Sequence, residues 1–324
     1  MSDVVILADP SGKGYEFARK VYEYVSAKRG RDFPVSLVDL KKTVFKDGEF
    51  KIKIAENVRG HSCFYIHDSN KLASEWISDL LLVLKAAASS SPCKLTVVLP
   101  YMRFARQDRK DESRVSVSSK AICDVMALYA QGALSIDLHA PQIQEYPQSR
   151  FSFDNLSSAP VVADHLEKGH REILDNLTLV SPDLGGGKRL EVYQKALRKR
   201  GIEAEIALGH KTRLRDNEVE YVEIIGNVSG RNCLIVDDII DTGGTMVETA
   251  RMLKEKGAIS VIGFGTFGLF TNGVGEFREF DEVMTGDALD TSNLVGVEVV
   301  SLVELFGEAI YRSHVGDSLS SLFE

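Results

Sequence analysis

Short apolar runs alternate with helical patterns along this 324-residue chain, and no other feature restricts its fold as much. In the first half VVILAD precedes YEFARKVYEYVSAKRG, CFYIHD precedes EWISDLLLVLKAAA, KLTVVLPY precedes VSSKAICDVMALYAQG, and LSIDLH follows. The second half repeats the theme with LTLVSPD before KRLEVYQKALRKRG, CLIVDDII before its own helix, and then AISVIGFGTF. Runs this apolar suit strands buried on both faces, and the intervening helices supply the crossovers that parallel strands require. The predicted class is α/β, with mostly parallel sheets flanked by helices and ligands at the carboxyl ends of strands. Length favours two domains. The segment EYPQSRFSFDNLSSAP, 145–160, interrupts the alternation with Pro, Ser and Asn and is the expected hinge, separating 1–148 from 149–304. The halves share a rhythm but no residue-level repeat.

A hydrophobic content of 44% supports one large core or two ordinary ones, and a net charge of −8 argues against a nucleic-acid or anionic-membrane partner. No stretch reaches the roughly 18 apolar residues of a membrane helix. Cys63, Cys93, Cys123 and Cys233 are widely separated, without a C-x-x-C, and three lie in or beside apolar runs. They read as free thiols rather than disulfides or zinc ligands. The opening residues enter a strand-like run with no basic leader, so a cytoplasmic protein is expected.

The chemistry concentrates in LIVDDIIDTGGTMVETA, 234–250. Leu234, Ile235 and Val236 form a buried-strand run; Gly243 and Gly244 permit a tight turn; Met246, Val247, Ala250 and Leu253 then recur at helical spacing up to Gly257, a suitable C′ residue. A strand, a small polar loop and a helix bring backbone N–H groups and the positive helix end onto one spot, which favours phosphate. No Lys follows the glycines, so this is not the common nucleoside-triphosphate loop. Asp237, Asp238 and Asp241 would repel a polyphosphate but can accept from sugar hydroxyls or hold hydrated Mg²⁺, so a sugar phosphate suits the stretch. Taken alone, D-D-x-x-D can also be a solvated turn.

Five further segments carry polar clusters. SPDLGGGKRL, 181–190, is a second strand-loop-helix unit with Asp183 at the strand end; alone it is a weak signal. SIDLHAPQIQ, 135–144, ends a strand in His139, more often a structural residue than a ligand. LPYMRFARQDRKDESR, 99–114, gathers arginines that suit polyphosphate, or form a solvated loop. VFKDGEFKIKIAENVRG, 44–60, offers Phe45 for stacking on a base and Asp47 and Glu49 as acceptors, or a D-G turn between strands. GHKTRLRDNEVEY, 209–221, is a basic lid or an exposed hairpin, and an extended backbone would turn Lys211 and Arg213 to the same side.

The ten residues V-D-D-I-I-D-T-G-G-T, 236–245, resemble the phosphoribosyl diphosphate signature of phosphoribosyltransferases and ribose-phosphate diphosphokinases. A-R-Q-D-R-K, D-L-H-A-P-Q-I-Q, F-K-D-G-E with E-N-V-R-G, and the Lys211–Arg213 spacing follow the diphosphokinase family in order. That resemblance implies two similar phosphoribosyltransferase-like domains: 1–148 binding ATP, 149–304 binding ribose 5-phosphate, and 305–324 packing back on the first. It implies that Asp241, Thr242, Gly243, Gly244 and Thr245 cradle the 5-phosphate while Asp237 and Asp238 face the ribose hydroxyls. It further implies a diphosphate loop at Asp183, Gly185 and Gly186, ATP contacts from Phe45, Asp47, Glu49, Arg106, Gln107 and Asp108, Mg²⁺ near His139 and Asp183, and catalysis by Lys211 and Arg213. The reaction would be transfer of the diphosphoryl group of ATP to the anomeric hydroxyl of ribose 5-phosphate, in a dimer-based homo-oligomer, usually a hexamer. The chain departs from the family at Glu145, Tyr146 and Pro147, where G-F-F is usual, at Phe267, where His is usual, and at Ala86–Ala88; these regions bear on subunit contacts and on regulation by phosphate or ADP. A phosphoribosyltransferase would not need the A-R-Q-D and F-x-D-G-E blocks, and a non-catalytic associated subunit would lack Lys211, Arg213 or His139.

Overall fold

The computed structural model of the chain describes residues 2–28, 32–147, 150–212 and 221–323. It divides into two compact units: Met1–Leu156 with Ala288–Asp290 and Val303–Phe323, and Ser157–Asp287 with Thr291–Leu302. The first unit contains β1 (Val4–Ala8), α1 (Tyr15–Ala27), β2 (Val35–Val44), β3 (Phe50–Ile54), β4 (Ser62–Ile66), α2 (Ala73–Ser89), β5 (Lys94–Leu99), α3 (Ser118–Ala127), β6 (Gly132–Ile136) and β7 (Ser152–Leu156). The second contains α4 (Ala159–Gly169), α5 (Arg171–Leu174), β8 (Leu177–Ser181), α6 (Gly187–Arg198), β9 (Ala204–Thr212), β10 (Tyr221–Ile225), β11 (Asn232–Ile240), α7 (Gly244–Glu255), β12 (Ser260–Gly268), β13 (Glu282–Gly286) and β14 (Glu298–Val300). Helix α8 (Val303–Val315) belongs to the first unit, where it packs on α1.

The alternation delivers the predicted class, two mostly parallel sheets flanked by helices. Strand order is β3-β2-β1-β4-β5-β6-β7 in one sheet and β10-β9-β8-β11-β12-β13-β14 in the other, the same path walked twice. In each, one pairing is antiparallel, β2 with β3 and β9 with β10. The order reverses between β1 and β4 and between β8 and β11, so each sheet has its switch point there, the usual place for a ligand crevice.

The apolar runs are two-faced for a visible reason. Along β11, Leu234 and Val236 enter the core formed with α4 and α6, whereas Cys233 and Ile235 enter the core under α7. Helix α7 buries Met246, Thr249, Ala250 and Leu253, the i, i+3, i+4, i+7 stripe. It stops at Gly257, φ +86°, with Gly257 N–H on Lys254 C=O and Ala258 N–H on Leu253 C=O, a Schellman end. Burial pushes the thiols of Cys63, Cys123 and Cys233 up to about 12, while Cys93 is exposed.

The expected hinge at 145–160 is instead partly regular structure. Ser152–Leu156 adds β7 parallel to β6, and the boundary between units falls after Leu156. Its polar residues belong to an edge strand: Phe153 and Leu156 face inward, and the Asn155 side-chain oxygen accepts from Leu138 N–H at 2.9 Å. No helix of the described residues is long and apolar enough to cross a membrane.

Candidate active site

The sequence-predicted residues fall into two sets, one in each unit. In the second unit β11 continues to Ile240, so Asp237 and Asp238 are strand residues and the turn begins at Asp241. Leu269 and Phe270 N–H both bond Ile240 C=O, at 2.8 and 3.1 Å, and Thr271 Oγ1 donates to Asp241 Oδ1 at 2.5 Å. Gly243 takes φ +80° as the residue before α7, and a Cβ there would lie 2.3 Å from Phe277 Cζ, so the position needs glycine on both counts. The first helical bond of α7 runs from Val247 N–H to Gly243 C=O, 2.9 Å. The N–H groups of Gly244, Thr245 and Met246 therefore precede the helical ladder, at the positive end of a twelve-residue helix.

The neighbouring strand β8 leads into the other loop. Asp183 Oδ1 accepts from Gly186 N–H at 3.0 Å, capping the 3₁₀ turn Leu184–Gly186. Gly186 is packed so closely that a Cβ would meet Ser181 Oγ at 2.1 Å. Three residues later, Arg189 spans the switch point: Nη1 donates to Asp237 Oδ1 at 2.8 Å and Nη2 to Asp238 Oδ1 at 2.7 Å. Asp238 N–H also donates to Asp237 Oδ1, at 2.8 Å. Burial, and next the adjacent Asp238 charge, push the Asp237 carboxyl up to about 7, against the opposing pull of Arg189. The guanidinium thus favours the charged form of a carboxyl that burial and its neighbour push toward neutrality. Sequence reading missed Arg189, although a signal existed: a cation in the first turn of a helix sits at the unfavourable end of the dipole and needs acidic partners.

In the first unit the loops after β5 and β6 come together. Gln142 Nε2 donates to Asp108 Oδ2 at 2.6 Å, and the Tyr146 hydroxyl donates to Asp108 C=O. Gln107 C=O accepts from Ser119 N–H and Oγ, at 3.3 and 2.9 Å, which pins the loop to the start of α3. Arg106, Gln107 and His139 are exposed beside these anchors. Phe104, Arg114 and Asp137 all adopt positive φ, +67°, +68° and +38°, conformations that cost a non-glycine residue energy and cluster at functional sites. The segment of Phe45, Asp47 and Glu49 is the D-G turn joining β2 to β3: Gly48 has φ +90°, Glu49 N–H bonds Asp47 Oδ1 at 3.0 Å, and Phe45 is 49% exposed. Strands β2 and β5 are three spacings apart in the sheet, about 14 Å at about 4.8 Å each, so the turn and the Arg106 loop are not neighbours.

The first unit's own switch point differs from that of the second. A cavity of about 300 Å³ there is lined by Asp9, Gly12, Lys42, Asp68 and Lys71 among others. Its charges pair internally: Lys71 with Asp9 at 2.6 Å and with Asp79, Lys42 with Asp79 at 2.9 Å. Asp68 Oδ1 accepts from Gly14 N–H at 3.1 Å and from Asn70 N–H at 2.9 Å, so a carboxylate of the chain already takes the loop's donors.

Lys211 lies in β9, its backbone opposite Val222 of β10 in a ladder that runs from Thr212–Tyr221 to Leu208–Ile225. Arg213 lies outside the described residues.

Residues 11–129 match the family model described as the N-terminal domain of ribose phosphate pyrophosphokinase, and 197–324 match the phosphoribosyl synthetase-associated domain. A curated ribose-phosphate pyrophosphokinase of Chlorobaculum tepidum is 36% identical over 315 residues, covering 95% of this chain and 92% of its own. The enzyme of that name from Aquifex aeolicus is 34% identical over 329 residues, all of both chains. The crystal structure of phosphoribosylpyrophosphate synthetase from Mycobacterium smegmatis superposes with a TM-score of 0.82 at 24% identity, over 97% of this chain and 100% of that one, a likeness of fold.

Proposed function

The chain belongs to the ribose-phosphate pyrophosphokinase family, and from that premise we infer how its residues divide the work of moving the diphosphoryl group of ATP to the anomeric hydroxyl of ribose 5-phosphate, with AMP as the other product. One observation carries the assignment: the Arg189-held Asp237–Asp238 pair and the N-terminus of α7 lie at the two ends of one short loop at the β8/β11 switch point. A sugar phosphate has the matching polarity, hydroxyls for the carboxylates and a dianion for the helix end. Thr242, Gly243, Gly244 and Thr245 would receive the 5-phosphate, with Asp241 shaping the turn through Thr271; Gly185 and Gly186, beside Asp183, would let the diphosphate approach the backbone.

Arg106, Gln107 and Asp108 would hold the ATP phosphates. Phe45, Asp47 and Glu49 would serve adenine, and their distance from Arg106 within one sheet favours a homo-oligomer in which one copy's turn completes a neighbour's site. As the sugar oxygen attacks the β-phosphorus and AMP leaves, negative charge grows on the transferred oxygens, and the Lys211 and Arg213 side chains are assigned to meet it. Mg²⁺, when bound, neutralises and orients phosphate oxygens. His139 and Asp183 would hold it; Asp183 fits as an exposed carboxylate with one oxygen engaged by Gly186 N–H, oxygen donors being what this cation takes. Three buried thiols suit a reducing cytoplasm.

The test is AMP formation from ATP and Mg²⁺ with and without ribose 5-phosphate, the sugar product being identified by mass. Sugar-dependent AMP with phosphoribosyl diphosphate is the expected result. Absence of AMP under every phosphate and metal condition would remove the assignment in favour of a non-catalytic associated subunit.

A further inference from the structure

Away from the phosphate loops, the second unit gathers two imidazoles and two carboxylates where α4 meets the edge strands of its sheet. His165 Nε2 lies 2.8 Å from Glu298 Oε1, and His170 Nε2 lies 3.0 Å from Glu298 Oε2, so two rings from one helix end converge on opposite oxygens of one carboxylate. Their rings are 5.4 Å apart and tilted by 37°. The three donor atoms all fall within 4.8 Å of one another. On the far side of the second ring, Glu282 Oε2 stands 3.4 Å from His170 Nδ1, and the Glu282 and Glu298 carboxyls share a hydrogen bond.

The backbone explains the convergence. His165 lies in the second half of α4, and His170 follows the helix as its C-cap residue, φ −133°, ψ 42°. Glu282 and Glu298 open β13 and β14; the register pairs Met284 with Glu298, which places Glu282 two residues back on the same face. Met284 on that face packs into the core shared with Val162 and Leu166 of α4.

We propose that His165, His170 and Glu298 form a binding site for a borderline transition-metal dication, of which Zn²⁺ is the representative, with Glu282 as the outer carboxylate that orients His170. The spacing suits the chemistry: bonds of about 2.0–2.1 Å put neighbouring ligand atoms about 3 Å apart. With its proton on Nδ1, facing Glu282 at 3.4 Å, His170 would offer its Nε2 lone pair to the metal, the arrangement usual for metal-bound histidine. Two imidazoles and one carboxylate favour Zn²⁺, Co²⁺ or Ni²⁺ over Mg²⁺, which takes oxygen donors. The side chains of His165, Glu282 and Glu298 are 26%, 33% and 33% exposed, so an ion can enter from solvent. Binding would clip the end of α4 to β14, a strand of only three residues.

The test uses the whole chain, stripped of metal and free of nucleotide, titrated with Co²⁺ and read by its visible ligand-field absorption, with Zn²⁺ as competitor. The expected result is a Co²⁺ band from this site that Zn²⁺ removes and excess Mg²⁺ does not, together with a thermal midpoint several degrees higher with Zn²⁺. His165→Gln and Glu298→Gln should each abolish the band and lower Zn²⁺ affinity at least about 10-fold, the loss that removing even a ligand's outer hydrogen-bond partner brings. Their metal-free unfolding should match the parent chain, so that loss of binding is not loss of fold. Cys93→Ser, which removes the exposed thiol, should leave the band intact. Absence of a Co²⁺ band, equal Co²⁺ binding by His165→Gln and the parent, or a band lost only with Cys93→Ser would each overturn the site.

Discussion

Replacing Arg189 with Met keeps most of the side-chain volume and removes a guanidinium bonded to both Asp237 and Asp238. Two charge-assisted hydrogen bonds are lost, at 2.8 and 2.7 Å, each contributing about 1.5–3 kcal/mol. Asp238 is buried and loses its bond to Arg189, and breaking a buried pair of this kind costs about 3–5 kcal/mol. At roughly 2–4 °C per kcal/mol for a unit of this size, the thermal midpoint should fall by on the order of 10 °C. The pH dependence has a definite sign. Asp237 titrates near 7 in the fold against an ordinary 3.8, so the folded state holds more protons than the unfolded one between these values. Its contribution to stability therefore falls as pH rises through that window. On the acid side of 7 the mutant loses mainly the Asp238 pair; on the alkaline side it loses both, and the gap from wild type widens. Calorimetric unfolding of both proteins on each side of that value measures it, with Asp237→Asn added to Arg189→Met expected to recover part of the alkaline loss. A mutant that unfolds at the wild-type temperature, or a gap that narrows with rising pH, would refute the reasoning.

Three other outcomes follow from the same geometry. Gly243→Ala forces a Cβ toward Phe277 at φ +80°, costing about 1–3 kcal/mol; Gly244→Ala, where a Cβ meets nothing within 4 Å, should unfold like wild type and change only the KM for ribose 5-phosphate. Lys211→Ala should lower kcat by orders of magnitude with little change in ribose 5-phosphate affinity, and a mutant with near-wild-type kcat would remove the catalytic assignment. Tyr146→Phe deletes the hydroxyl that holds Asp108 C=O, so the KM for ATP should rise severalfold while the ribose 5-phosphate KM stays put.

The alternation of apolar run and helix carried nearly all of the architecture, because parallel strands buried on both faces leave a dense signature: Leu234, Ile235 and Val236 each face a core. Strand β7 left none, since an edge strand buries only Phe153 and Leu156 and spends Asp154 and Asn155 elsewhere. The identical order of the two sheets showed in the sequence only as a shared rhythm and through the family resemblance, because topology can repeat without any residue repeating. Candidate residues attached to glycine loops could be proposed from the sequence; those defined by partners distant in sequence could not. Arg189 finds its carboxylates 48 and 49 positions away, and His165 finds Glu298 133 positions away. Tyr146 registered as a departure from a familiar string, but its hold on Asp108 depends on how two loops fold against each other.

Helix α8 closes over α1 through Phe17 against Phe306, ring centres 5.5 Å apart, and through Gly307, where a Cβ would come within 2.4 Å of Tyr24. A ribosome makes α1 before every other helix described here, and α8 only after every strand of the second sheet has been synthesised. For most of its synthesis the nascent protein carries Phe17 and Tyr24 without their final cover, while the second sheet has all its strands before the first has its last helix. Domains fold as units as they emerge, so vectorial synthesis here reverses the expected sequence of completion. The first unit to begin is the last to close.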